Sequence, residues 1–133
     1  MENKYLLDTN IWIFLLHGDK NIAQMMMISA GEGACCLSII TAYELMFGAY
    51  KSGRDTEILK VNTILDKYQI IPLGNPNLYA MQKLELTSKG MMIDELDFMI
   101  ASTAIEKNLI LVTDNTKHFS RFDNLILENW RKR

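Results

Sequence analysis

Short runs of apolar residues alternate with longer amphipathic stretches along this chain. KYLLD (4–8), GACCL (33–37), QIIPL (69–73) and LILVT (109–113) are five residues long and apolar at most positions. That is the pattern of strands buried on both faces. NLILEN (124–129) predicts a last, short edge strand. Between these runs the spacing predicts helices. One follows Asp8 with Thr9 or Asn10 as its cap, and the Met-rich IAQMMMISAGEG (22–33) gives a second, ended by glycine. Ser38 caps a third that runs to about Gly53, and residues 54–67 form a fourth. A fifth runs from about Asn75 to Lys89 and stops at Gly90, and a sixth starts within IDELDFMIASTA (93–104) and reaches about Lys107. Strands alternating with helices imply an α/β fold, a parallel sheet covered on both faces.

No repeat, low-complexity tract or Pro/Gly-rich linker divides the 133 residues, so 1–133 reads as a single domain. No apolar run is long enough to span a membrane, and MENKYLLDTN lacks the plan of a signal peptide. Adjacent Cys35 and Cys36 lie in an apolar run and read as buried, reduced thiols of a cytoplasmic protein. His17 and His118 belong to no ligand-spaced cluster, which argues against zinc. The net charge of −2 argues against a passive nucleic-acid binder but not against an acidic centre with a basic rim. Lys51, Arg54, Lys60, Lys89, Lys117, Arg121 and the C-terminal RKR are candidates for that rim.

Four acids sit where acids are costly. Asp8 ends one strand and Asp114 follows another, and ligands of open parallel sheets collect beyond the carboxyl ends of strands. Glu44 shares a helical stripe with Ile40, Phe47 and Gly48, and Asp97 shares one with Ile100, Ala101 and Ala104, so both are expected to face inward. A single such acid is ordinarily satisfied by an Arg or by backbone N–H groups. Four together are another matter, because two carboxylates about 4 Å apart repel by roughly 4 kcal/mol at an effective dielectric of 20. No Arg or His stands out on the inward stripes to neutralise them, so the pattern points to a cation. Oxygen ligands select Mg²⁺ or Mn²⁺, and with them metal-assisted phosphodiester hydrolysis. Thr9, Asn10, Thr113 and Asn115 flank the acids as turn formers, caps or supports that orient the carboxylates. Asp94 and Glu95, at the mouth of the sixth helix, are explained by capping and the helix dipole.

The ordered set LLDTN, SIITAYELMFGA, GMMIDELDFMIASTA and VTDNTKHFSRF, with a tryptophan near the end, resembles PIN-domain ribonucleases over nearly the whole chain. The VapC-type toxins of bacterial toxin–antitoxin pairs are the branch it resembles most. The resemblance implies a three-layer α/β/α sandwich and Mg²⁺- or Mn²⁺-dependent endonucleolytic cleavage of RNA, leaving 5′-phosphate and 3′-hydroxyl ends. It implies a homodimer, and a cognate antitoxin that silences the toxin in a hetero-oligomer. By position, Asp8, Glu44 and Asp97 match the central metal-ligand acids and Asp114 a fourth, more variable one. Thr9, Asn10, Thr113 and Asn115 match the polar neighbours. Many relatives carry a turn such as Ile-Gly-Pro where this chain has Ile93-Asp94-Glu95-Leu96, a departure that touches no central acid. Initiator tRNA is the RNA suggested by relatives close to this pattern.

Three other readings differ in what they require. A solitary PIN-type nuclease in RNA processing would lack an upstream antitoxin frame. An inactive binding module would be expected to have lost ligand acids, and all four are present. An aspartate-nucleophile phosphatase wants an acid two residues after Asp8, where Asn10 stands. The Met-rich helix, with Ile11, Trp12, Phe14 and Leu15, is expected to be mostly core with one face open to the antitoxin.

Overall fold

The computed structural model describes residues 3–91 and 93–131. Among these, the strands are β1 (Tyr5–Leu7), β2 (Cys35–Ser38), β3 (Gln69–Ile71), β4 (Ile110–Val112) and β5 (Leu127–Glu128). They form one parallel sheet in the order β3-β2-β1-β4-β5, with β5 on the edge as its polar ends suggest. The central strand β1 pairs Tyr5 with Cys35 on one side, and Leu6 with Leu111 and Leu7 with Val112 on the other.

Alternation along these short strands divides the interior in two. Tyr5, Leu7, Cys35, Leu37 and Val112 point into a core with Trp12, Ile22, Leu45 and Val61. Those partners come from α1 (Thr9–Leu16), α2 (Lys20–Met25), α3 (Ile39–Lys51) and α4 (Asp55–Lys67). Leu6, Cys36, Ile71 and Leu111 point the other way, against Leu86, Ile100, Ala101 and Phe119. These belong to α5 (Pro76–Ser88), α6 (Glu95–Glu106) and α7 (Thr116–Phe119). The result is the expected α/β/α sandwich. Each fully buried large side chain contributes about 1.5–3 kcal/mol, which is why three-residue strands suffice. Neighbouring Cys35 and Cys36 are both buried, face opposite cores and share no disulfide.

Several element boundaries depart from the pattern. Asp8, rather than Thr9 or Asn10, caps α1 by accepting a hydrogen bond from the Thr9 N–H. The Met-rich helix widens into a π-type turn over Met26–Ala30 before Gly31, whose φ of 74° lets the chain turn away. A Cβ at Gly74 would lie 1.7 Å from the Glu106 carboxylate, which would have to swing aside to make room. The four-residue helix α7 was not anticipated, because a single turn shows no periodicity.

Parallel pairing puts the carboxyl ends of β1, β2 and β4 side by side, and Asp8, Ser38 and Thr113 with them. The Asp8 N–H donates to the Val112 carbonyl at 2.9 Å, so the path of β1 is held to β4 up to the acid itself. Ser38 starts α3 from the end of β2, its hydroxyl accepting from the Thr41 N–H at 3.0 Å. Replacing Ser38 by Ala should cost about 1 kcal/mol and lower the thermal midpoint by roughly 3–5 °C in a calorimetric scan. An unchanged midpoint would show that this cap does not hold α3.

Candidate active site

Asp8 is the anchor. It is 5% exposed, and its two oxygens have different partners: Oδ1 accepts from the Thr9 N–H at 2.8 Å and Oδ2 from the Thr113 hydroxyl at 2.9 Å. Thr113 in turn accepts the Asn115 N–H at 3.1 Å. Burial pushes the Asp8 carboxyl up to about 6; the two hydrogen bonds pull it down, and the charges of Asp97 and Glu44 push it up further. Three of the four acids singled out in the sequence therefore share one electrostatic neighbourhood.

Glu44 reaches that neighbourhood through a chain of hydroxyls. Thr9 Oγ1 donates to Glu44 Oε1 at 2.6 Å, which uses its only proton. Thr41 must then donate across the 2.9 Å contact to Thr9, and Ser38 donates to Thr41 at 3.4 Å. Ser38 and Thr41 are fully buried; the sequence marked Ser38 only as a helix cap and did not mark Thr41. The signal that could have found Thr41 is its place one turn before Glu44. The inward stripe assigned to Glu44 needs correction, because Phe47 is 70% exposed. The buried face of α3 runs through Thr41, Ala42, Leu45 and Ala49, which leaves Glu44 partly buried at its margin. A cavity of about 280 Å³ opens beside Glu44, with Ile13, His17, Arg54 and Glu57 among its walls.

Asp97 stands as expected on the face of α6 that buries Ile100, Ala101 and Ala104. Burial raises its carboxyl above the usual range, the neighbouring His118 lowers it and the charge of Asp94 raises it. His118, on the unanticipated α7, places Nε2 3.3 Å from Asp97 Oδ2. Nε2 is buried and lies off the line of a hydrogen bond. The inward stripes carry no Arg or His, as read from the sequence, but His118 and Arg131 reach the acids from the C-terminal segment, outside those stripes.

Asp114 is drawn aside. Its carboxylate stands 4.0 Å from Arg131 Nη1, and Arg131 also meets Asp19 at 3.3 Å and lies over the Phe14 ring. Arg131 thus ties the C-terminal segment to α1 and the start of α2. Lys132 and Arg133, the rest of the C-terminal RKR, lie outside the described residues. Asn10 and Asn115 are exposed. Asp94 caps α6 through the Leu96 N–H, whereas Glu95 pairs with Lys83 and Tyr79 and fastens α6 to α5. The two acids at the helix mouth are structural, but only the first acts as a cap.

Among the described residues, no three His, Cys, Asp or Glu side chains form a ready-made ligand cage. A hydrated divalent ion does not need one, since Mg²⁺ keeps several waters and takes one or two carboxylates. The donors around Asp8 are oxygens, and their mutual repulsion is what such an ion relieves.

The raised carboxyl of Asp8 fixes a pH dependence. Its folded-state value of about 6 lies above the ordinary 3.8, so the folded chain binds the extra proton between those limits. Ionised Asp8 therefore opposes folding above pH 6, by something on the order of 3 kcal/mol, and this penalty fades as pH falls towards 3.8. In metal-free buffer, Asp8→Asn should melt above wild type at pH 8 and lose that advantage by pH 4. A difference independent of pH would contradict the assignment.

Comparison with known proteins agrees with this geometry. Residues 5–125 match the PIN domain family. Ribonuclease VapC2 of Rickettsia felis is 36% identical over 133 residues, covering 96% of this chain and 98% of the relative. The tRNA(fMet)-specific endonuclease VapC of Shigella flexneri is 29% identical over 130 residues, with the same coverage. Among solved structures, VapBC2 from Rickettsia felis bound to a promoter DNA fragment superposes with a TM-score of 0.88 at 34% identity, covering 95% of this chain and 98% of that one. DNA-bound VapBC from Salmonella typhimurium gives 0.89 at 27%, covering 96% and 98%. The chain belongs to the PIN-domain family, among the VapC ribonucleases.

Proposed function

We propose that this chain is a divalent-metal-dependent endoribonuclease that acts as the toxin of a toxin–antitoxin pair, with residues 1–133 working as one domain. The observation that carries the reading is the buried Asp8 carboxylate, held at both oxygens by Thr9 and Thr113 within reach of the charges of Asp97 and Glu44. Asp8, Glu44 and Asp97 would hold the ion, Mg²⁺ or Mn²⁺, with Asp114 at the margin. A bound divalent ion supplies stabilisation of the charge that builds on phosphorus and activation of a water.

The chain's own residues do the positioning. Thr9 N–H and Thr113 Oγ1 pin both oxygens of Asp8, so the carboxylate does not reorient as a phosphate approaches. The Ser38–Thr41–Thr9 hydroxyl chain aims its last proton at Glu44 and holds that acid on the same side of the pocket. Asn10 and Asn115, exposed beside Thr9 and Thr113, are placed to meet substrate or solvent.

RNA is the substrate because the relatives are named ribonucleases, and initiator tRNA is the specific target suggested by the Shigella flexneri relative's name. The partner reading rests on neighbours solved as VapBC2 of Rickettsia felis and as a toxin–antitoxin complex from Klebsiella pneumoniae. The Met-rich segment suits a partner surface. Ile22 and Met26 are core, but Met27 and Ile28 are 65% and 78% exposed, and pliable apolar side chains repack around a docked segment. A homodimer and a cytoplasmic location complete the proposal; among the described residues no helix is long and apolar enough to cross a membrane.

Cleavage of end-labelled initiator tRNA tests the reading. Wild type with Mg²⁺ or Mn²⁺ should cut internally and stop on chelation. Asp8→Ala and Asp97→Asn should lose at least about a hundredfold in rate, as removal of a metal-site group does. Asp94→Ala, which removes a helix cap and one charge near Asp97 but none of the proposed ligands, should stay within about threefold. Undiminished cleavage by both Asp8→Ala and Asp97→Asn would overturn the site.

A further inference from the structure

One polar atom beside the acids is left over by the account so far. His118 Nε2 is buried and makes no hydrogen bond, yet it sits 3.3 Å from Asp97 Oδ2. A buried ring nitrogen without a well-formed hydrogen bond is costly, and an imidazole free to turn would be expected to point that atom at water. The ring is not free. It packs edge-on against Phe119, itself 1% exposed, and its backbone N–H is tied to Asn115 O at 3.2 Å. The segment that presents it starts at Thr113, the residue that holds Asp8, so the same few residues place both groups.

We propose that His118 is a ligand of the divalent ion together with Asp97, making the site a mixed nitrogen–oxygen one that favours Mn²⁺ over Mg²⁺. The separation of the two atoms suits this. Adjacent ligands of an octahedral ion at 2.0–2.1 Å stand about 3 Å apart, near the observed 3.3 Å. A neutral Nε2 offers a lone pair for which the protein supplies no donor, and imidazole suits transition metals where carboxylate and water alone suit Mg²⁺. In the sequence His118 is a single histidine in KHFSRF, 21 residues from Asp97, with no ligand spacing to mark it. The inference rests on the divalent-ion reading of the site, and its test separates the two.

The experiment is electron spin-echo modulation of Mn²⁺ added to the intact chain. The expected result is the coupling of a directly bound ¹⁴N nucleus, which becomes a ¹⁵N coupling when the histidines are ¹⁵N-labelled. It should vanish in His118→Phe, and the ratio of Mn²⁺ to Mg²⁺ affinity should fall roughly tenfold. The labelled wild type needs no substitution, so a variant that fails to fold does not block the answer. Mn²⁺ bound without nitrogen coupling overturns the role of His118 and leaves the carboxylate site standing. Coupling that persists in folded His118→Phe also overturns it. Failure of the chain to bind Mn²⁺ at all overturns both this inference and the reading beneath it.

Discussion

A carboxylate taken out of water has to be held, and the holding of Asp8 organises this site. The sheet places β1 between β2 and β4, which brings the Thr113 hydroxyl to one oxygen and the first N–H of α1 to the other. Those two bonds work against a larger desolvation cost, and the charges of Asp97 and Glu44 add to that cost. The fold thus spends stability to keep an acid where its charge is unwelcome. That is the usual mark of a group whose charge is used.

The supports divide by origin. On the Glu44 side, the buried hydroxyls of Ser38 and Thr41 and the half-buried one of Thr9 donate in sequence, and the proton inventory leaves one direction for the chain. On the Asp97 side the support comes from the C-terminal segment, as an imidazole locked against Phe119. Arg131 draws Asp114 toward Asp19 and α1, so the fourth acid is engaged with the frame while the charges of Asp97 and Glu44 both act on Asp8. The pocket is asymmetric: hydroxyls on one flank, a ring nitrogen on the other.

Much of this was legible in the sequence. Doubly apolar strands separated by helical stretches predicted a covered parallel sheet, and five short strands with helices on both faces are what the chain forms. Asp97 was readable because its stripe is continuous, with Ile100, Ala101 and Ala104 all fully buried. Glu44 was picked out for a partly mistaken reason. Phe47 was counted as an inward neighbour, but α3 turns Leu45 and Ala49 inward and leaves Phe47 in solvent. A stripe on a helix says which residues share a face, and the sequence alone does not say how far the buried arc extends. The places of Ser38, Thr41 and His118 beside the acids escaped notice for a different reason. Their roles come from contacts between elements distant in the chain, such as Thr9 with Thr41 and Asp97 with His118, and no local pattern encodes those.

The central claim is that Asp8, Glu44 and Asp97 form one field that a divalent cation relieves. Carboxyl-carbon NMR of ¹³C-aspartate-labelled chain measures it directly, by following Asp8 through a pH titration with and without Mg²⁺. The account predicts a metal-free midpoint near 6 that moves down when Asp97 is replaced by Asn, and further down when Mg²⁺ is added. An Asp8 that titrates in the ordinary aspartate range, indifferent to both changes, would contradict it.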